Sequence, residues 1–546
     1  MLKASALQMK PQLGNIEANC DKILSFYDNS SSDIVITPEL ALCGYSPLDN
    51  IQSPNFQEEI KKYINIIIYH TKDKAPALIL GTVWFEDNKI YNVALVIENG
   101  KIQNIIYKNK LPNYGVFNEY RYFSTKPCDN LVAIKGKYVA IFVCEDMWHT
   151  DLLKNIKNHN AYNLLISKGK IDLIISINAS PFEIGKQDSR LAIVKQAQEI
   201  IPAPVLYLNL VGGVDDVIFD GNSFVRDSIG MCKYMLHAKE DSLHFEVKDV
   251  GSKKIISTEQ PSNPKTTNKN QLIFETIQLG LKDFLSASNF KGVIIGMSGG
   301  IDSTITAAIA KETLGAENVL GISMPSKHTS QLSYKIIEDI KNSLGIKIIE
   351  IPIDNLVESY IKTLENNLNL AENNILDNIQ ARIRGQILMS YANQYNNFMV
   401  LTTGNKSEIA TGYCTLYGDT CGGYNLLKDL YKTQVFELAK WMNEKFNNIP
   451  IEAITRKPSA ELKENQYDED SLMDYNILDA ILYEIIEKNS SLENLYKLFD
   501  NNLVNKVLKL LKNSHYKRLQ SAMGVNISTR PFGKSYQYNI SDGFKR

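Results

Sequence analysis

A strand, a glycine-containing loop and a helix follow one another between residues 292 and 315, and this unit constrains the fold most. The apolar segment GVIIGM predicts a buried strand, and STITAAIAKETLG predicts a helix that ends at Gly315. The loop SGGIDS, residues 298–303, joins the two. Backbone N–H groups at a helix start bind anions, and glycines let a phosphate approach the backbone closely. The unit therefore predicts a phosphate site at the end of the strand.

Strands and helices keep alternating after this unit. NVLGISMPS predicts a strand, QLSYKIIEDIKNSLG a helix and KIIEIPID a further strand, and residues 470–515 are richly helical in pattern. Alternation of this kind is typical of a parallel, doubly wound sheet. We predict that α/β architecture for residues 272–546.

The first half of the chain has short β-rich runs between helical stretches, and we predict an α/β sandwich for residues 1–248. The predicted strands are 33–40, 77–85, 91–102, 138–146, 171–180 and 203–212. Several end in a polar or charged residue, the usual place for chemistry in an α/β fold. The following stretch, GSKKIISTEQPSNPKTTNKNQ, is polar and lacks apolar periodicity, so we predict an inter-domain linker at 249–271.

The composition of the chain excludes several classes of protein. The 546 residues carry a net charge of −2, which does not indicate a nucleic-acid or membrane-surface partner. The first residues lack a signal-peptide pattern, and no apolar run is long enough to span a bilayer. The 7 cysteines are scattered and odd in number, which argues against a disulfide framework or a zinc site. We expect a cytoplasmic protein.

The loop SGGIDS has neither the GxxxxGK[ST] nor the GxGxxG pattern. It resembles the pyrophosphate loop of N-type ATP pyrophosphatases, which split ATP into AMP and pyrophosphate and adenylate a substrate oxygen. That resemblance implies that Asp302 helps to hold Mg²⁺, a cation that prefers oxygen ligands. Taken alone, the loop is also compatible with a simple turn that caps the following helix. It is equally compatible with the pyrophosphate loop of the related GMP synthetases and asparagine synthetases.

Blocks further along the chain narrow the choice, because their sequences and their order resemble those of NAD synthetases. The blocks are NIQARIRG (378–385), TGNKSE (403–408), GY (412–413), YGD (417–419), DLYKTQV (429–435), KPSAEL (457–462), QYDED (466–470) and YKR (516–518). One departure is Asp377, which stands where the family usually has glutamate.

The resemblance implies a set of residues for each ligand. The residues implied for ATP are Gly296, Met297, Ser298, Gly299, Gly300, Ile301, Asp302, Ser303, Thr403 and Lys432. Those implied for deamido-NAD are Asn378, Glu408 and Lys517. Glu408 is the second implied Mg²⁺ ligand beside Asp302, and we expect Lys406 and Arg382 to neutralise phosphate charge as well.

Three residues of the first half lie just after predicted strands: Glu39 in TPEL, Lys108 in YKNKLPNY and Cys144 in VCEDMW. Their order and surroundings resemble the nitrilase superfamily, whose catalytic triad is Glu–Lys–Cys. The residue types suit amide cleavage. A thiolate attacks the carbonyl carbon, the glutamate moves the proton, and the lysine lowers the thiol pKa and stabilises the oxyanion.

Rival residues exist for two of these positions. Lys110 competes with Lys108, but the family spacing K-x-x-L-P selects Lys108. Cys43 is a rival nucleophile whose surroundings match nothing. His149 lies near Cys144 and would suit a Cys–His site, although no papain-type pattern supports it.

NYGVFNEYRYF and NASPFEIGK resemble the nitrilase branch that is fused to NAD synthetases. The residues implied to form the glutamine site are Tyr114, Glu119, Ser180 and Lys186. The chain has NLVGGVD where the family usually has NQVGGQD, so Leu210 and Val214 replace two amides.

Together the two resemblances imply an enzyme that releases ammonia from glutamine, adenylates deamido-NAD with ATP and forms NAD, AMP and pyrophosphate. Dimerisation is common among NAD synthetases, so we also expect a homo-oligomer. Two alternatives stay open. One is a different glutamine-dependent amidotransferase on the same ATP loop, such as a GMP synthetase, and the other is a non-catalytic nucleotide sensor.

Overall fold

The computed structural model describes the chain except residues 159–169, 252, 261, 262, 264, 265, 371, 373, 460, 464, 465, 540 and 542–546. The chain divides into two compact units, Met1–Thr267 and Asn268–Arg546. Among the helices of the described residues, none combines the length and the apolar character needed to cross a membrane.

The first unit is built on two mixed β-sheets and a short hairpin. Its strands are β1 (Leu2–Gln8), β2 (Ile34–Ile36), β3 (Ala77–Glu86), β4 (Lys89–Glu98), β5 (Lys101–Tyr107), β6 (Leu131–Ile134), β7 (Lys137–Val143), β8 (Ile171–Asn178), β9 (Val205–Asn209), β10 (Val211–Val214), β11 (Val217–Asp220), β12 (Phe224–Arg226), β13 (Cys232–Tyr234), β14 (Asp241–Val250) and β15 (Lys253–Ser257). One sheet has the order β15-β14-β1-β2-β3-β4-β5, the other has the order β13-β12-β9-β8-β7-β6, and β10 pairs with β11.

Helices cover the outer face of each sheet. They are α1 (Ile16–Asp28), α2 (Pro54–His70), α3 (Thr150–Asn158) and α4 (Lys186–Ile200). Apolar residues from both sheets form one core between them, α1 and α2 pack on the seven-stranded sheet, and α3 and α4 pack on the six-stranded one. The predicted α/β sandwich is confirmed, because alternate residues of each strand face the core between the sheets or the helices.

The second unit contains one parallel sheet. Its strands are β16 (Gly292–Met297), β17 (Val319–Ser323), β18 (Lys347–Glu350), β19 (Phe398–Thr402), β20 (Tyr424–Asn425) and β21 (Met523–Gly524). The order is β18-β17-β16-β19-β20-β21, and every pairing is parallel. The chain starts in the middle of the sheet, builds outwards on one side and then returns to build the other, which confirms the predicted doubly wound topology.

The helices of this unit are α5 (Lys269–Ala287), α6 (Ile301–Leu314), α7 (Gln331–Leu344), α8 (Asp354–Leu364), α9 (Ile375–Gln394), α10 (Lys406–Thr411), α11 (Lys432–Phe446), α12 (Ile451–Thr455), α13 (Asp468–Ser471), α14 (Tyr475–Ile486), α15 (Leu492–Leu498), α16 (Asn501–Asn513) and α17 (His515–Arg518). SGGIDS follows β16, and TGN follows its neighbour β19. Both loops therefore lie at the carboxyl ends of the two strands where the winding direction changes, which is where ligands bind in folds of this kind.

Four predicted strands differ from the observed ones because the chain turns within or soon after the apolar run. The segment 33–40 is a strand only at Ile34–Ile36, and the segment 203–212 divides between β9 and β10. The segment 91–102 forms two strands instead of one, since Asn99 and Gly100 both adopt positive φ angles and reverse the chain between β4 and β5. The segment 138–146 leaves the sheet after Val143.

The polar segment predicted as a linker also contains regular structure. Within 249–271, β15 pairs antiparallel with β14, and α5 begins at Lys269. Strand β15 lies at the edge of its sheet, where polar residues such as Lys253 and Ser257 face solvent without cost, so its sequence lacks a strong apolar pattern.

Candidate active sites of the two units

The chain turns sharply at Cys144 in the first unit. This residue directly follows β7, begins a short 3₁₀ helix and has a φ of 48°, in the left-handed region that non-glycine residues seldom adopt. Its side chain is buried. Residues held in such conformations are concentrated at functional sites, so the geometry supports Cys144 as the reacting thiol.

Glu39, Lys108 and Glu119 form a buried cluster of charges beside this turn. Nζ of Lys108 donates to Oε1 of Glu39 and to Oε1 of Glu119, each at 2.7 Å, and all three side chains are at most 3 % exposed. Glu39 lies on a loop that passes close to β3, since a Cβ on Gly81 would come within 1.9 Å of the Pro38 carbonyl oxygen. The structure thus brings the predicted glutamate and lysine together.

The charges of this cluster set its protonation. Burial raises the pKa of the Cys144 thiol well above its ordinary value and Glu39 adds to the rise, while Lys108 opposes it. Burial alone would lower the pKa of Lys108, but Glu119 and Glu39 together hold it well above its ordinary value. Burial raises the pKa of Glu119 to about 7. A thiol whose pKa is raised in this way depends on a nearby base to form the thiolate.

Sequence reasoning missed three buried side chains that hold the cluster in place. The hydroxyl of Tyr45 donates to Glu119 Oε1 at 2.7 Å, and Nδ2 of Asn92 donates to Glu39 Oε1 at 2.7 Å. The carboxylate of Asp146 accepts from the backbone N–H groups of Asn109 and Lys110, which follow the catalytic lysine. Asp146 is two residues from Cys144, and that spacing was the one signal available in the sequence.

The residues predicted for glutamine lie at different depths. Tyr114 is exposed, and its hydroxyl donates to Glu145 Oε2 at 3.0 Å. Lys186 lies at the start of α4, with Nζ 5.0 Å from the centre of the Trp148 ring. Glu119 belongs to the charge cluster, and Ser180 is buried just after β8. Exposed Tyr114 and half-buried Lys186 contact Glu145 and Trp148 of the 3₁₀ helix that carries the thiol, whereas Glu119 and Ser180 are buried.

Arg190 fixes Ser180 from inside the unit. Its guanidinium donates to the carbonyl oxygen of Ser180 at 2.9 Å and to Ser180 Oγ at 3.2 Å. It also pairs with Asp220 at 2.9 Å, and both charged side chains are at most 2 % exposed. Nothing in the sequence indicated that Arg190 is buried, because most arginines are exposed to solvent.

The rival residues lie outside the cluster. Lys110 pairs with Asp151 near the surface, and Cys43 donates its S–H to backbone carbonyls in the apolar core. His149 is half-exposed and 3.5 Å from Glu145.

The two apolar replacements in NLVGGVD pack into the protein. Leu210 is 1 % exposed, and Val214 packs against the same apolar cluster. Hairpin β10–β11 at this position is therefore held by apolar contacts, where amides would require hydrogen-bond partners.

The second unit contains a cavity of about 640 Å³ at the carboxyl end of its sheet. The residues predicted for ATP and deamido-NAD that line it are Gly296, Met297, Ser298, Gly300, Ile301, Asp302, Ser303, Thr403, Lys432, Asn378, Glu408 and Lys517. Gly299 is not among the lining residues. Its φ is 75°, and a Cβ there would lie 2.9 Å from the Ser333 carbonyl oxygen, so it shapes the loop.

Lys432 joins the two carboxylates predicted to bind metal. Its Nζ donates to Asp302 Oδ2 and, at 3.1 Å, to Glu408 Oε1. Asn405 caps α10 and donates its side-chain N–H to Asp302 Oδ1 at 3.0 Å, so the TGN and SGGIDS loops are in contact. Burial raises the pKa of Glu408 to about 8, and Asp302 and Asp468 contribute to the rise although Lys432 opposes it.

Other polar groups of the cavity hydrogen-bond to backbone carbonyls or to neighbouring side chains. Nζ of Lys517 donates to the carbonyl oxygens of Gly412 and Cys414. Asn378 Oδ1 accepts from the Thr415 hydroxyl at 2.8 Å. Arg384 belongs to the block NIQARIRG, but no role was predicted for it. It also lines the cavity, and burial lowers the pKa of its guanidinium to about 10.

Two expected phosphate-neutralising residues are placed elsewhere. Lys406 does not line the cavity, because its Nζ is buried between Asp429 and Glu487. Nε of Arg382 donates to the Leu416 carbonyl oxygen, and this residue is also outside the lining. Neither residue lines the cavity, so a role of either in neutralising phosphate charge stays a prediction. A cationic residue in a motif block can also serve the packing of its loop.

Comparisons with known proteins match both halves of the chain. The family described as carbon-nitrogen hydrolase matches residues 3–243, and the family described as NAD synthase matches residues 273–521. A glutamine-dependent NAD(+) synthetase from Acinetobacter baylyi is 36% identical over 100% of this chain and 99% of its own length. Another from Aquifex aeolicus is 34% identical over 100% of both chains. This chain belongs to the glutamine-dependent NAD(+) synthetase family. The resemblances found in the sequence are thereby confirmed.

Solved structures agree with this family assignment. The glutamine-dependent NAD+ synthetase from Acinetobacter baumannii, solved in complex with ADP, is 34% identical, covers 100% of this chain and 99% of its own, and superposes with a TM-score of 0.77. The corresponding enzyme from Cytophaga hutchinsonii is 20% identical with a TM-score of 0.82 over 99% of this chain and 98% of its own, which supports the fold.

Replacement of Arg190 tests the buried ion pair behind Ser180. Arg190→Met should lower the free energy of unfolding of the first unit by about 3–5 kcal/mol, because the Asp220 charge loses its partner inside the protein. The matched control is Lys110→Met at an exposed ion pair, which should change it by less than about 1 kcal/mol. Denaturant titration measures both values. Equal, small effects would contradict the assigned role of Arg190.

The pH dependence of that ion pair has a defined sign. Burial would raise the pKa of Asp220, but Arg190 lowers it to about 2 from an ordinary 3.8. The pair therefore stabilises the folded state fully above pH 3.8 and loses about 2 kcal/mol as the pH falls towards 2. Relative to wild type, Arg190→Met/Asp220→Asn should lack this acid-dependent loss.

Proposed function

We propose that the protein makes NAD from deamido-NAD, with glutamine as the ammonia donor and ATP as the activating substrate. The proposal rests on two sites that occur in the same chain. One is the buried Glu–Lys–Cys cluster, and the other is the cavity lined by SGGIDS, which is large enough for a nucleotide. The chain also matches glutamine-dependent NAD(+) synthetases over its full length. The first unit supplies ammonia and the second forms the amide.

In the first unit, Cys144 attacks the side-chain amide carbon of glutamine. Glu39 takes the thiol proton and later returns it to the departing ammonia, leaving a thioester that water hydrolyses to glutamate. Lys108 faces the oxyanion of each tetrahedral intermediate. Tyr114, Ser180 and Lys186 orient the glutamine. Support comes from the burial of the cluster and from the raised pKa of the thiol, which requires a base at this position.

In the second unit, the cavity residues bind ATP and deamido-NAD. SGGIDS offers backbone N–H groups at the start of α6 for phosphates, and Thr403 and Lys432 line the same cavity. The nicotinate carboxylate attacks the α-phosphorus and expels pyrophosphate, and ammonia then displaces AMP from the acyl adenylate. Asn378, Glu408 and Lys517 line the same cavity and are assigned to deamido-NAD.

Asp302 and Glu408 fit a Mg²⁺ ion. Their carboxylates share one ammonium, and Asp468 adds a further negative charge nearby, so the buried cluster has an excess of negative charge. Within the described residues, no group of three or more His, Cys, Asp or Glu side chains is arranged for a metal. Two carboxylates are the usual protein share of a Mg²⁺ site that phosphates complete, and a bound ion would neutralise charge on the pyrophosphate.

A homo-oligomer is also part of the proposal. No residue of α8 is buried, although the helix is amphipathic, and Leu356 and Tyr360 on it are 45% and 40% exposed. Met389 on the adjacent α9 is exposed as well. Exposed apolar side chains that lie together mark interaction surfaces. We assign a second copy of the chain as the partner that binds the surface formed by α8 and α9. A cytoplasmic location is proposed because all 7 cysteines are free thiols.

Product analysis tests the overall reaction. Purified protein with deamido-NAD, ATP, Mg²⁺ and glutamine should form NAD, AMP and pyrophosphate in equal amounts, because adenylation releases one pyrophosphate for each amide made. ADP and phosphate in place of AMP and pyrophosphate would refute adenylation. Conversion of xanthosine monophosphate instead of deamido-NAD would establish the GMP synthetase alternative, and no turnover would favour the nucleotide sensor.

Reciprocal variants separate the two activities. Cys144→Ala should lower glutamine-dependent NAD formation at least about 1000-fold, because no nucleophile remains, and should leave ammonia-dependent formation within about 3-fold of wild type. Lys432→Ala should abolish NAD formation with either glutamine or ammonia as the donor, while hydrolysis of glutamine continues. Cys43→Ala is the control for a buried cysteine outside the cluster. Loss of both activities in Cys144→Ala with an intact fold would refute the division of labour.

Sedimentation analysis checks the assigned oligomer surface. Wild-type protein should sediment as an oligomer, and Leu356→Glu/Tyr360→Glu as a monomer, because two charges would be buried at the contact. The control is Leu498→Glu, because the Leu498 side chain is exposed on α15. This variant should not change the mass of the sedimenting particle. A monomeric wild type would refute the oligomer, and an unchanged double variant would place the contact elsewhere.

A further inference from the structure

Asn92 is a buried polar residue inside an apolar strand. It lies in the middle of β4, is 1 % exposed, and has Tyr91 and Val93 as its neighbours in the chain, both of them in the apolar core. Asparagine is unfavourable within strands, and a buried amide is costly unless its hydrogen bonds are made. Its presence here therefore requires a specific partner.

That partner is the predicted general base. Nδ2 of Asn92 donates to Glu39 Oε1 at 2.7 Å, and the backbone carbonyl of Asn92 accepts from the N–H of Lys108 at 2.9 Å. The opposite orientation of the amide would bring its oxygen against a carboxylate oxygen, so the N–H group must face Glu39. One residue thus holds the side chain of the glutamate and the backbone of the lysine.

The other atom of the amide shows what this contact costs. Oδ1 of Asn92 is buried and has no hydrogen-bond partner among the residues that the structure describes. Leaving such an oxygen unsatisfied costs about 1–3 kcal/mol, and an apolar residue of similar shape would avoid that cost. The N–H group on Glu39 is the remaining reason for an asparagine at this position.

We propose that Asn92 is a positioning residue that determines which oxygen of Glu39 receives the proton of the Cys144 thiol. Oε1 already accepts hydrogen bonds from Lys108 and Asn92, while Oε2 accepts one, from the backbone N–H of Ala179 at 2.7 Å. A carboxylate oxygen has two lone pairs in its plane, so Oε1 is saturated and Oε2 retains one. Oε2 is the proton acceptor.

The inference rests on the proposed glutaminase reaction and assigns its atoms. The S–H bond of Cys144 breaks, its proton goes to Oε2, and the sulfur electron pair forms the C–S bond to the glutamine amide carbon. When the tetrahedral intermediate collapses, the C–N bond breaks and the nitrogen takes the proton back from Oε2 as ammonia leaves. Without Asn92, Lys108 alone would donate to Oε1, so Oε1 would also keep a free lone pair and either oxygen could take the proton.

The test uses Asn92→Leu, which keeps the branching of the side chain but is larger and lacks the donor, with Asn92→Ala as a second, smaller variant free of steric clash. The matched control is Thr82→Val on the neighbouring β3, because Thr82 is equally buried and its hydroxyl also lacks a partner. In the full-length protein, three quantities are measured for each variant: kcat and KM for glutamine hydrolysis, ammonia-dependent NAD formation, and the alkylation rate of Cys144 by iodoacetamide.

Both Asn92 variants should lower kcat for glutamine by roughly 10- to 100-fold and leave KM within about 2-fold, because proton transfer is affected and glutamine binding is not. Ammonia-dependent NAD formation should equal that of wild type. Alkylation of Cys144 should slow by a similar factor, whereas a merely loosened structure would expose the thiol and accelerate it. The Thr82→Val control should match wild type in every assay.

Unchanged kcat in both Asn92 variants, or faster alkylation of Cys144, would overturn the positioning role. A failure of the underlying function is separately visible, since wild-type protein would then hydrolyse no glutamine at all.

Discussion

A buried lysine shared between two carboxylates fixes the geometry of the candidate site in each unit. Lys108 and Lys432 are both nearly inaccessible to solvent, and each donates to two acidic side chains. Removing such charges from water costs several kcal/mol per ion, and apolar residues of equal volume would often be more stable. These clusters therefore cost stability, and they are retained for the positions and charges that they impose on reacting groups.

Each cluster contains more acidic than basic side chains, and burial, with a contribution from the neighbouring carboxylates, raises the pKa of one member. The pKa of Glu119 is raised to about 7 and that of Glu408 to about 8. A carboxyl group with a pKa near neutrality exchanges its proton readily, or gives it up when a cation arrives. The first property suits a site that moves protons between sulfur and nitrogen, and the second suits a site that takes up a metal ion with a nucleotide.

Local sequence patterns predicted the fold class of each unit and several residues of the candidate sites. Strand–loop–helix periodicity gave both sheet architectures, and motif spacing selected Lys108 over Lys110, which lies at the surface. Residues that act through tertiary contacts were missed, because Asn92 and Arg190 carry no local signal of the partners that the fold brings to them. The burial of Lys406 between Asp429 and Glu487 was missed for the related reason that a motif specifies a residue type and leaves its direction to packing.

The position of β1 has a consequence for synthesis of the chain. This strand lies inside its sheet, yet one of its two neighbours, β14, comes much later in the chain, with Leu2 paired to Val247. During translation, one edge of β1 therefore has no neighbour until about 240 further residues have been made, a delay of tens of seconds at ordinary elongation rates. An open strand edge is a template for unwanted pairing, so the nascent first unit passes through a stage that is prone to aggregation.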